Sequence, residues 1–89
     1  MEKVNLSFYI SPLKMNYMEA ADNRKSLALL LDKALLDTDT GKWVGGSYTK
    51  NVIEIFLTVN DYNRALPIIK SVIKTHRLAP FMRIARQPE

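Results

Sequence analysis

The 89 residues contain no cysteine, a single histidine, a single tryptophan and only three glycines. Without cysteine there is no disulfide and no thiolate chemistry, so the apolar core must carry the stability alone. The absence also fits a reducing compartment. One histidine cannot build a three- or four-ligand zinc site without several carboxylates, so no metal site is expected. Long apolar runs are missing too. The longest, Leu27 to Leu31, falls far short of the ~20 residues a membrane span needs. The opening "MEKVNLSFYISP" carries an acid and lacks a cationic cluster, which excludes a signal-peptide reading. The expectation is a cytoplasmic protein with no membrane contact.

What is present suits one globular domain spanning residues 1–89, near the size at which a single core suffices. Apolar residues make up 47% and charged residues 25%, ordinary values for such a chain. The net charge of +4 is unevenly placed. Residues 1–60 hold seven Lys/Arg against seven acids, and residues 61–89 hold six against two. All the excess therefore lies in the last third, which is compatible with an anionic partner and also with simple solubility.

"KVNLSFYI" alternates, with Val4, Leu6, Phe8 and Ile10 on one side, and reads as a half-buried strand ended by Ser11–Pro12. Residues 13–21 read equally as loop or as a first helical turn; Asn16 with Glu19 suits a capping box. From about Asp22, a good N-cap, to about Leu36 the spacing predicts a helix burying Leu27, Leu30, Leu31, Ala34 and Leu35. "DTDTG" breaks it. "KWVGGSYT" and "NVIEIFLTVN" then form a hairpin turning near Lys50–Asn51. A second helix, capped by Asn60 or Asp61, buries Ala65, Ile68, Ile69, Val72 and Ile73. Pro67 either kinks it or delays its start. "LAPFMRIARQ" closes the chain as an edge strand.

Strand, helix, strand, strand, helix, strand describes two split β-α-β units. With right-handed crossovers these give an α+β ferredoxin-like two-layer sandwich, an antiparallel sheet of order 4-1-3-2 with both helices on one face. The whole chain resembles small bacterial ferredoxin-like domains of unassigned function, "VGGSY" before a β-rich strand and "ALPIIKSVIK" carrying the similarity. That resemblance implies a fold and no activity. The acylphosphatase pattern of a Gly-rich, Arg-containing loop after the first strand is absent; the loop here reads "SPLKMNYM".

Chemistry leaves few traces. Gly45 and Gly46 precede a strand, whereas a phosphate cradle wants its N–H groups at a helix N-terminus. Glycines inside a strand more often mark a bulge or a close backbone approach. "DTDTGK" begins like a calcium loop, but its twelfth position is Tyr48 where a bidentate Glu is needed. His76 falls on the apolar stripe of the second helix with no nucleophile or carboxylate paired to it by spacing. No catalytic residue, cofactor or metal is expected, and the chain reads as a non-enzyme.

Two surfaces call for explanation. On the sheet face away from the helices, alternation places Tyr9, Phe56 and Phe81 with Arg83. Three aromatics in one patch suit a covering partner, either a second copy in a homodimer or another protein, in a regulatory, inhibitory or immunity-type role. The alternative is single-stranded nucleic acid stacked on the same aromatics, with Arg77, Arg83 and Arg86 on phosphates. A third possibility is an effector or small molecule held between the facing sheets of a dimer. Leu29 and Leu36, seven apart and opposite the core stripe of the first helix, form a secondary contact candidate.

Overall fold

The computed structural model describes residues 2–10, 14–49 and 51–87, and the side chains of these up to residue 82. Its elements are β1 (Glu2–Tyr9), α1 (Tyr17–Asp37), β2 (Gly41–Thr49), β3 (Val52–Val59), α2 (Tyr62–Lys74), a short 3-10 turn (Ala79–Phe81) and β4 (Met82–Gln87). The strands lie in the order β2-β3-β1-β4, each neighbouring pair antiparallel, so β3 and β1 are central and β2 and β4 are edges.

Period-two alternation builds the central pair. Val4, Leu6 and Phe8 of β1 and Ile53, Ile55, Leu57 and Val59 of β3 are buried, while their alternate neighbours are half-buried or exposed. These residues share one continuous cluster with Leu27, Leu31 and Leu35 of α1 and Ala65, Ile69 and Ile73 of α2. Both helices therefore cover the same face of the sheet, and the opposite face is open. The architecture is α+β, an open antiparallel sheet with two helices.

The first helix starts earlier than Asp22. Asn16 is its cap: the Asn16 side-chain oxygen accepts from the Glu19 N–H at 2.9 Å, and Asn16 Nδ2 donates to Glu19 Oε1 at 2.8 Å. Asp22 lies exposed inside the helix. A local cap signal lost to an earlier one because Met15 and Ala20 are buried and need the chain already turning. The buried stripe is Ala20, Leu27, Ala28, Leu31 and Leu35, so Leu30, expected inside, is instead 49% exposed. "DTDT" closes the helix chemically. Thr38 Oγ1 donates to the Ala34 carbonyl at 2.7 Å, the Thr40 N–H donates to that of Leu35 at 2.9 Å, and Asp39 takes a left-handed φ of 53°.

The hairpin turns at Asn51, whose φ of 67° asparagine tolerates better than most residues; Lys50 and the expected strand stop at Ser11–Pro12 lie outside the described residues. α2 begins directly after Asp61, whose carboxylate accepts from the Asn63 N–H at 3.0 Å. Glu2 of β1 accepts from the Tyr62 N–H at 2.9 Å, tying the helix start to the sheet. Pro67 therefore does not delay the helix, and its ring faces solvent. Past α2 the chain departs from the expected long strand. Pro80 opens no ladder; Ala79–Phe81 coil into the 3-10 turn and β4 starts only at Met82.

Candidate interaction face of the sheet

Between Trp43 and Gly45 the β2–β3 register shifts by one residue, leaving Val44 as the extra residue of a β-bulge. The bulge changes the phase of the strand. Before it, Trp43 is paired with buried Leu57; after it, Tyr48 is paired with buried Ile53. Trp43 and Tyr48, five apart, thus both pack on the core side, which an unbroken strand would forbid. The glycine pair serves this bend. A Cβ on Gly46 would lie 2.4 Å from the Glu54 carbonyl oxygen, so the strands approach too closely there for any side chain. A Cβ on Gly45 would meet only Phe56 Cδ2, at 3.7 Å.

The open face can be read across the ladder. One row is Ser47–Glu54–Ser7, with Arg83 at the next register position on β4; the row beside it is Gly45–Phe56–Asn5, with Ala85 next. Glu54 is fixed in the middle. Asn5 Nδ2 donates to Glu54 Oε2 at 2.9 Å and Ser47 Oγ donates to Oε1 at 3.2 Å. A depression of about 480 Å³ runs over this region, lined by Lys3, Asn5, Val44, Glu54 and Phe56 among others. Two polar atoms at this face are buried without a partner, Asn5 Oδ1 and Thr58 Oγ1.

The sequence-predicted residues divide on this surface. Tyr9 is 63% exposed at one end of the face, and half-buried Phe56 lies near its centre. Phe81 is elsewhere. It sits in the 3-10 turn and packs against the helix-side core, because the chain has not yet entered β4 when it passes that residue. The aromatic trio is therefore a pair. The side chains of Arg83 and Arg86 are outside the description; by register their backbones stand opposite Ser7 and Val4. Arg77 is exposed in the segment after α2, 3.7 Å from Glu19 of α1, and is not brought to the sheet face. The cationic set expected for phosphate contacts is not gathered by the described residues around Tyr9 and Phe56, and the carboxylate of Glu54 is.

Residues that alternation alone did not bring forward are Lys3, Asn5, Val44 and Thr58. The signal for Asn5 and Thr58 was polar residues on central strands. The bulge that adds Val44 to the face had only the Gly pair to announce it. On α1, Leu29 and Leu36 are 51% and 57% exposed, and Met18, eleven residues before Leu29, falls on the same outward line and is also exposed.

Elsewhere polar groups are occupied structurally. Asp32 of α1 accepts from the Trp43 N–H at 3.0 Å, and Trp43 Nε1 donates to the Gly45 carbonyl at 2.8 Å. Both bonds steady the bulged edge strand against the helix. A smaller cleft of about 300 Å³ beside Trp43 is lined by Ala21, Asp22, Arg24 and Lys25. Tyr17 stacks on Tyr48, centroids 4.9 Å apart, joining the start of α1 to the end of β2. His76 is not on the helix; it follows the Thr75 C-cap, and its Nδ1 accepts from the Leu78 N–H at 3.2 Å. Burial, and then the neighbouring Arg77 charge, hold its pKa below the usual histidine value. Among the described residues, no group of three or more His, Asp or Glu is placed to hold a metal ion, and no helix is long and apolar enough to cross a membrane.

No protein-family model matches the chain, and comparison with curated proteins finds no match.

Proposed function

We propose that the chain is a non-enzymatic interaction domain of the ferredoxin-like class, with sheet order 4-1-3-2, whose open sheet face docks on a second copy of itself or on another protein in a regulatory, inhibitory or immunity-type role. The observation that carries this reading is the asymmetry of the sheet. One face is sealed by two helices, while the other presents Tyr9, Val44 and Phe56 to solvent in whole or in part. Four strands ~4.8 Å apart and about eight residues long at ~3.3 Å each make a face of roughly 500 Å². Two such faces together bury about 1,000 Å², the size at which a specific interface begins. Leu29 and Leu36 on the outer line of α1 offer a second, smaller contact.

The test is solution mass by size-exclusion chromatography with light scattering, on the wild type and on Phe56→Asp. The expected result is a dimer at low micromolar concentration that the substitution converts to a folded monomer. A wild-type monomer that binds no protein, or a Phe56→Asp variant that stays associated and equally stable, removes this face as the interface.

A further inference from the structure

The depression on the open face is chemically two-ended. At one end stands the Glu54 carboxylate, whose two oxygens each already accept one hydrogen bond and retain capacity for more. No cation among the described residues pairs with it. Beside it, Asn5 has committed its amide nitrogen to Glu54, so its Oδ1 is fixed as an acceptor and is buried without a donor. At the other end is Lys3, with the unpartnered hydroxyl of Thr58 directly opposite in the β1–β3 register. Phe56 and Val44 supply an apolar wall between the two ends.

Lys3 cannot neutralise Glu54 itself. Thr58 opposite Lys3 is four residues from Glu54, which at ~3.3 Å per residue sets the two side chains' origins roughly 13 Å apart along the strands. Extended towards one another, a lysine and a glutamate close most of that distance and leave a gap of a few ångströms. That gap matches the separation of ammonium and carboxylate within one α-amino acid. The volume of about 480 Å³ falls in the range of small-ligand sites.

We propose that this depression is a binding site for a free α-amino acid with an apolar side chain, its ammonium on Glu54 and Asn5 Oδ1, its carboxylate on Lys3 and the Thr58 hydroxyl, and its side chain against Phe56 and Val44. The site lies on the face assigned above to association, yet every contacting group comes from one copy, so it stands or falls separately from the dimer. The acceptors at the Glu54 end reject a second anion, and the buried Asn5 oxygen selects a ligand bearing N–H donors.

The experiment follows backbone amide shifts by NMR while titrating L-leucine, N-acetyl-L-leucine and 3-methylbutylamine, the amine lacking leucine's carboxylate. Light scattering on the same samples reports the oligomeric state independently. L-leucine is expected to shift the amides of Asn5, Glu54 and Phe56. Acetylation, which removes the ammonium charge, weakens binding about tenfold or more, the size of one lost charge-assisted hydrogen bond. Glu54→Gln does the same for L-leucine. Lys3→Met weakens L-leucine while leaving 3-methylbutylamine unchanged. The proposal is overturned if L-leucine moves none of those amides up to about 10 mM, well above a millimolar dissociation constant. It is equally overturned if N-acetyl-L-leucine binds as tightly as L-leucine, a comparison on wild-type protein that does not depend on any variant folding.

Discussion

Gly45 and Gly46 are adjacent, share a strand and have no left-handed φ, yet the structure separates them sharply. At Gly46 a methyl group would stand 2.4 Å from the Glu54 carbonyl oxygen, and β2 must open from β3 by roughly 1 Å to restore van der Waals contact. Overpacking of that kind costs ~1–3 kcal/mol, and weakening a neighbouring ladder hydrogen bond adds about 1 kcal/mol. Gly46→Ala is therefore expected to destabilise by ~2–4 kcal/mol. For a domain of this size, expected to hold about 4–13 kcal/mol in total, that is a large fraction. Each kcal/mol moves the melting temperature of such a domain by about 4–8 °C, so a drop of 10 °C or more should follow. Gly45→Ala meets nothing closer than 3.7 Å and also reduces unfolded-chain entropy; it should be neutral or stabilise by up to ~1 kcal/mol. Urea unfolding of both variants, with midpoints compared at constant slope, decides the matter. Equal stability of the two, or a worse effect at Gly45, would refute the bulge as the reason for the pair.

Asn16→Ala removes the cap of α1 and should cost about 1 kcal/mol, whereas Asp22→Ala, exposed within the helix, should cost little; thermal denaturation of the two variants separates a start at Tyr17 from one near Asp22. For His76 the folded pKa lies below the unfolded value of 6.5, so the unfolded chain binds the proton first. Stability attributable to this residue is therefore intact above pH 6.5 and declines as pH falls from there through the folded pKa. The decline should be shallow because the ring is partly exposed, and His76→Asn should flatten it in a pH series of urea midpoints.

Much of the architecture was legible because it rests on local periodicity. Alternation in "KVNLSFYI" and "NVIEIFLTV" is a direct image of strands with one face in a core, and those apolar residues are buried as expected. The stripe Ala65, Ile69 and Ile73 and its cap at Asp61 were equally plain. So was the meaning of the glycine pair, since a strand rather than a helix follows it. The composition itself removed thiol chemistry before any fold was considered.

Other features were settled only by packing. Leu30 and Leu35 look alike in the sequence, but α1 rolls so that Ala28 lies inward and Leu30 outward, because small residues let the helix approach β2 and β3 closely. Phe81 reads as one residue of a continuing strand until the 3-10 turn at Pro80 directs its ring to the core, taking an aromatic off the open face. Val44 joins that face only because the bulge shifts the phase of β2. The depression joins Lys3 and Asn5 of β1 to Val44, Glu54 and Phe56, about fifty residues away for the β3 pair, through register alone. Local pattern determines which side of a strand a residue takes. Which residues then stand together across the sheet is decided by strand order, register and the bulge, and these are set by the packing of the whole chain.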